Sequence, residues 1–237
     1  MRKSSLIIVL SLILASAFLI RYMGLDKVEL LGDEYTDFSI AVKLKEDPNP
    51  FDSNYKYKDI FLDQTRFSHY LTAFLLFWKF NILSSRIISV VFGVLTILIV
   101  YYLGKELFNE ETGLISSLLI TFSIYHIAFS RLAMTSGDSI FLFFYLSSMY
   151  NFYKGLKYSE NTYLFISAIF IGITIATKLF GILLFLLFSL MLWQYQNKLF
   201  SEKIDKKILK ATMLAFVPFI IYIILFFLSN EHSILKL

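Results

Sequence analysis

The sequence predicts an all-α integral membrane protein of about seven transmembrane helices, with interfacial helices in a long first outer loop. Three observations carry that expectation. Of 237 residues, 57% are hydrophobic and 18% aromatic, and the mean hydropathy is +0.68, more apolar than a water-soluble core of this size needs. The apolar residues fall into runs near the roughly 20 residues that carry a helix across a bilayer. Lysines gather in the loops between those runs, so the net charge of +4 reads as a topology signal and not as a nucleic-acid surface. Cysteine is absent, which excludes disulfides and thiolate metal sites. With no long linker, repeat or low-complexity tract, residues 1–237 read as one membrane domain.

Taken in order, the apolar runs are Leu6 to Met23, Phe67 to Leu83, Arg86 to Leu103, Gly113 to Phe129, Ser139 to Tyr153, Tyr163 to Thr177, Phe180 to Trp193 and Ala211 to Leu228. The first follows Arg2 and Lys3 and contains Ala15-Ser16-Ala17, a pattern shared with cleaved export signals. Apolar residues continue past that point, which favours an uncleaved first span. Tyr163 to Trp193 is too long for one crossing, and Lys178 marks a tight reversal between two.

Positive loops face the cytoplasm. The basic loop 197–210, with Lys198, Lys203, Lys206, Lys207 and Lys210, and the N-terminal Arg2 and Lys3 therefore lie inside. Two inner points require an even number of crossings between them, yet seven runs intervene, so one run does not cross. Phe67 to Leu83 is the run to demote. Ser68, Thr72 and Lys79 share one narrow stripe of an otherwise apolar helix, the pattern of a helix lying in the interface, and Lys79 and Asn81 are costly inside a short span. Residues 24–86 then form the first extracytoplasmic loop. Asp33, Glu34, Arg86, Arg131, Asp138 and Lys178 all fall on the outer side.

That surface carries usable chemistry. Separate carboxylates can supply a general base and an orienting or metal-binding group, and Arg86, Arg131 and Lys178 can neutralise a phosphate. Charged residues also flank ordinary spans, so no single one is diagnostic. The stretch "GDEYTDFSIAVKL" is the densest signal: three acids in five residues repel one another and favour a cation or a raised pKa, although acids in the first turn of a helix equally answer its dipole. His69, at the start of the flat helix, is a candidate for binding metal or phosphate, against the plainer reading of a polar helix end. His126 has no assigned role. The 26 Phe and 15 Tyr read as lipid-facing and packing residues.

The order of these features resembles the N-terminal module of the GT-C superfamily of membrane glycosyltransferases, in particular the protein O-mannosyltransferase and aminoarabinose-transferase-like group. The resemblance runs from about Leu6 to Lys178. It rests on Asp-Glu in a long outer loop, an amphipathic helix, and then "SSRIISVVFG", "YYLGKELFNEETGL" and "SRLAMTSGD" in series. It implies a sugar donor on polyprenyl phosphate and inverting transfer to an acceptor on the outer face of the cell membrane. On that template Asp33 is the catalytic base and Glu34 its companion acid. Arg86, Arg131 and Lys178 are the donor-phosphate ligands, and Asp138 and His69 position a divalent metal ion or the acceptor. "RFSHYL" departs from the His- or Lys-Pro-Pro that usually opens the interfacial helix in this group. Full-length members continue beyond the equivalent of Leu237, so a split or noncatalytic module needing a partner chain is the alternative. A small transporter is the third reading, disfavoured because the spans hold few acids, histidines or midplane breaks.

The topology is checked by single cysteines in this cysteine-free chain. Ser136→Cys is expected to react with a membrane-impermeant thiol reagent from outside, and Ser201→Cys only after permeabilisation; the reverse pattern separates Asp33 from Asp138.

Overall fold

A computed structural model of the protein describes residues 3–29, 31–46, 67–76, 81–133, 138–158 and 160–194. The described residues are helical, with no sheet: α1 (Lys3–Tyr22), α2 (Gly32–Glu46), α3 (Phe67–Leu75), α4 (Ile82–Leu107), α5 (Glu110–Thr121), α6 (Ile124–Phe129), α7 (Asp138–Tyr158), α8 (Asn161–Thr177) and α9 (Leu183–Gln194). Ser4–Lys27 and Ile82–Leu107 are long and apolar enough to cross a membrane. The basic loop 197–210 and the run Ala211 to Leu228 lie outside the described residues.

Polar contacts fix the direction of each helix. At one end of the bundle, Arg86 near the start of α4 bonds Glu34 of α2 and the carbonyls of Leu25 and Val28, while Lys178 after α8 pairs with Asp138 at the start of α7. At the other end, Lys157 and Tyr158 at the close of α7 meet Glu106 at the close of α4. Between these ends α4 and α7 run parallel, with Ile88 beside Ile140, Phe92 against Phe143 and Phe144, and Tyr102 near Tyr150. The chain between them must travel back, and α5 with α6 does so; α8 runs back along α7. The chain from Met23 to Arg86 leaves and re-enters the bundle at the same end, which we call the acidic end. Asn81 has extended backbone and accepts from the N–H of Ser84 as the cap of α4, so Phe67 to Leu83 is not one continuous helix. At nine residues, α3 is about 14 Å long, half the hydrocarbon thickness.

The structure redraws two expected spans. Gly113 to Phe129 is broken: α5 stops at Thr121, and Ser123 caps a separate α6. The run beginning at Arg86 starts one turn earlier, at Ile82, so Arg86 stands inside α4 and not before it. Lys178 does mark a reversal: its backbone is extended, and a 3-10 turn at Leu179–Ile182 leads into α9, where Phe188 stacks on Phe152 at 4.0 Å.

Between helices the contacts use small and hydroxylated residues, as close helix packing in lipid requires. Ser89, Thr96, Ser117, Ser148, Ser167 and Thr174 are buried. Most return their hydroxyl to a carbonyl one turn back, and Ser167 crosses to the carbonyl of Ser148 at 2.9 Å, joining α8 to α7. The closest approach of α4 to α5 is at Gly113, where a Cβ would stand 2.6 Å from the carbonyl oxygen of Tyr101 and 3.0 Å from the Lys105 nitrogen. Backbone on the far side cannot yield. Gly113→Ala is therefore expected to cost about 1–3 kcal/mol through overpacking, read as a lower unfolding midpoint in detergent; an unchanged midpoint contradicts this crossing geometry.

Candidate active site

The acids open α2. Gly32, Asp33 and Glu34 form its first turn, where carboxylates answer the helix dipole. Successive residues on a helix point about 100° apart, so the adjacent acids meet different surroundings. Glu34 is completely buried. Its Oε1 accepts from Arg86 Nε at 3.0 Å and from the N–H of Ala133; its Oε2 accepts from Arg86 Nη2 at 2.8 Å and from the N–H of Leu31 at 3.2 Å. Asp33 is exposed and makes no hydrogen bond or ion pair among the described residues.

Arg86 is as fully engaged as Glu34. Beyond the two-pronged contact with the carboxylate, Nη1 donates to the carbonyls of Leu25 and Val28, both at 2.9 Å, and Nη2 to that of Glu29 at 3.3 Å. All five guanidinium N–H groups are used. The expectation of Arg86 as a phosphate ligand therefore meets a guanidinium with no free donor; what the geometry gives it is the task of fastening α2 and the 25–29 turn to α4. Burial by itself would raise the Glu34 carboxyl, but the Arg86 bonds and the Ala133 and Leu31 N–H groups outweigh it and hold the group below its usual range.

The remaining predicted residues divide into separate settings. Arg131 is half-exposed; among the described residues its guanidinium makes one bond, from Nη2 to the carbonyl of Met23 at 2.9 Å. It belongs to the turn 130–133 that also sends the Ala133 N–H to Glu34, so second-loop and first-loop residues meet there. Asp138 and Lys178, assigned different tasks from sequence, are bonded to each other, linking the start of α7 to the end of α8 at a partly exposed site. His69 lies buried between α3 and α2, its Nε2 3.4 Å from Asp37 Oδ1 and its Nδ1 without a partner. Among the described residues no three carboxylate or imidazole groups are gathered in one place, and Asp138 and His69, the two candidates for positioning a metal or the acceptor, sit in different pairs.

Sequence reading missed Arg21. Arginine in the last turn of a span ordinarily reaches along the helix to the water surface, so nothing marked it; the structure buries it completely. The nearest available signal was the polar trio His126, Ser130 and Arg131 close after an apolar run.

The all-helical bundle, with Glu34 at one end tied to Arg86 on the next long helix, can now be set beside known proteins. The family model described as dolichyl-phosphate-mannose-protein mannosyltransferase matches residues 67–223, and the chain belongs to that family. Five solved chains match. One, from the structure of the S. cerevisiae protein O-mannosyltransferase Pmt1-Pmt2 complex bound to the sugar donor, superposes with a TM-score of 0.68 at 16% identity, covering 98% of this chain and 34% of that one. The chain thus spans about a third of the length of that relative. No curated protein matches it.

Because Glu34 is saturated and buried against a cation, Glu34→Gln is expected to cost about 3–5 kcal/mol, the usual penalty for stranding one member of a buried pair. Linkage gives a second readout. A carboxyl held below its unfolded value near 4.5 contributes stability that is fully present above that pH and drains away as pH falls through the lower folded value. The unfolding midpoint of the wild type should drop as pH falls below about 4.5, and that of Glu34→Gln should drop less; parallel curves contradict the pairing.

Proposed function

We propose that this chain is the membrane module of a glycosyltransferase that moves a sugar from a polyprenyl-phosphate donor to an acceptor hydroxyl on the outer face of the cell membrane, with inversion. The carrying observation is the contrast between adjacent acids: Glu34 is locked by Arg86, Ala133 and Leu31, and Asp33 is exposed beside it with no partner among the described residues. Asp33 is the base. It takes the proton of the acceptor hydroxyl as that oxygen attacks the anomeric carbon, and the bond from that carbon to the phosphate oxygen breaks, releasing polyprenyl phosphate with its electron pair. General-base assistance of this kind contributes about 10²–10⁴-fold.

Arg131 is the cation best placed to receive the departing phosphate, because among the described residues its guanidinium has one protein partner, the Met23 carbonyl. Lys178 and Asp138 form the rim, where the lysine can add charge toward phosphate and the carboxylate can orient an acceptor. Transfer assigns no step to a metal ion. Seven crossings, with the N-terminus inside and the acidic end outside, would put Asp33 where a lipid-linked donor enters sideways from the bilayer; the alternating directions of six of them, α1, α4, α5 with α6, α7, α8 and α9, support that reading.

A second reading is a module that transfers sugar together with a partner chain; it is favoured by the structural match, which is to a two-protein complex.

Asp33→Asn keeps size and polarity but cannot take a proton. In membranes containing the natural full assembly and a polyprenyl-phosphate-linked mannose, it is expected to lower transfer at least 100-fold with an unchanged unfolding midpoint. Transfer within twofold of wild type removes Asp33 from the mechanism.

A further inference from the structure

Among the described residues Arg21 is a cation with no acid beside it. Its side chain is fully buried, yet every acceptor it meets there is neutral: Nε donates to Ser130 Oγ at 2.9 Å, Nη1 to the carbonyls of Ala17 at 3.0 Å and Thr121 at 3.3 Å, and Nη2 to the carbonyl of Ile120 at 3.4 Å and to His126 Nδ1 at 2.7 Å. Burying an unpaired charge is costly, so the environment must supply negative potential by other means. Ile120 and Thr121 are the last residues of α5, and a helix C-terminus presents carbonyls and the negative end of the dipole. Arg21 is therefore held by the end of α5 and by two side chains, His126 of α6 and Ser130 just after it, at the point where the expected continuous span 113–129 divides.

What this cation grips is one end of the turn that completes the acid site. Ser130 receives Arg21 Nε and itself donates back to the His126 carbonyl at 2.6 Å. One residue later Arg131 bonds the Met23 carbonyl, just beyond Arg21 in the chain, and two residues after that the Ala133 N–H meets Glu34. Ser130 has no room to slide toward α4, since a Cβ on Gly93 would stand 2.6 Å from its own Cβ. The turn 130–133 is thus fixed at its first residue by α1 and α4 and at its last by α2.

We infer that Arg21 is a positioning residue: through Ser130 it sets the turn that carries Arg131 and the Ala133 N–H to the Asp33–Glu34 site. This rests on the proposed function for its consequence in transfer, but not for the geometry, and the test separates the two. In the otherwise cysteine-free full chain, Leu132→Cys reports the turn and Asp26→Cys serves as a control at the same end. Ser130→Ala and Arg21→Gln are each expected to raise the labelling rate at position 132 at least fivefold over that at position 26, with Arg21→Lys restoring part of the difference. In the natural assembly, Ser130→Ala should raise the donor KM about tenfold. Should Arg21→Gln not fold, Ser130→Ala decides alone. Labelling at 132 that is unchanged, or that rises equally at 26, overturns the inference, as does faster labelling at 132 with an unaltered donor KM. A wild-type assembly that transfers no sugar, with the labelling shift intact, overturns the glycosyltransferase reading and leaves the positioning of the turn standing.

Discussion

The contact between Glu34 and Arg86 is the constraint on which the acidic end depends. It joins a loop helix to a long apolar helix 52 residues later in the chain, and each partner carries further bonds: Glu34 to Leu31 and Ala133, Arg86 to Leu25, Val28 and Glu29. A charge pair removed from water loses several kcal/mol of hydration per ion, and the loss is recovered only when geometry is good and every remaining donor and lone pair is used. Here both conditions hold. Three separate segments, the 25–29 turn, the first turn of α2 and the 130–133 turn, converge because each satisfies part of one ion pair.

That saturation has a chemical consequence. A carboxylate held below its ordinary range by two guanidinium bonds and two backbone N–H groups is a poor proton acceptor, and an arginine with five engaged donors is a poor ligand for phosphate. In the proposed function the residues that meet a substrate are those the pair holds in place but does not consume, Asp33 and Arg131. A rigid support carrying an accessible reacting group is what positioning in catalysis requires, and it explains why two adjacent acids belong together while doing different things.

Much of this was legible in the sequence, for reasons that differ by feature. Helical class followed from composition and run length, and the family resemblance from an ordered series of short motifs; the family match and the fold agree with both. The reversal at Lys178 was readable because a run of 31 apolar positions exceeds one crossing. Span edges were less so. Arg86 looked like a boundary because charge normally ends a span, but a charge fully paired inside the protein does not obey that rule, and α4 begins at Ile82. The division of 113–129 into α5 and α6 had no local cause in Gly or Pro; it accompanies Arg21, about a hundred residues earlier, bonding the carbonyls at 120 and 121. Within the site, the sequence brought Asp33, Glu34, Arg86 and Arg131 to one end, yet it could not assign partners. Pairing of Glu34 with Arg86, of Asp138 with Lys178 and of His69 with Asp37 is a tertiary fact that periodicity does not encode.

The central claim is that Glu34 and Arg86 act as one buried unit. A double-mutant cycle with Glu34→Gln, Arg86→Gln and the double variant, read as unfolding free energy of the full chain in detergent, tests it directly. A buried two-pronged pair predicts a coupling energy near the top of the roughly 0.5–3 kcal/mol range seen for residues in contact, with the double variant more stable than the two single losses would sum to. Losses that add to within about 0.3–0.5 kcal/mol, as for independent sites, would contradict it.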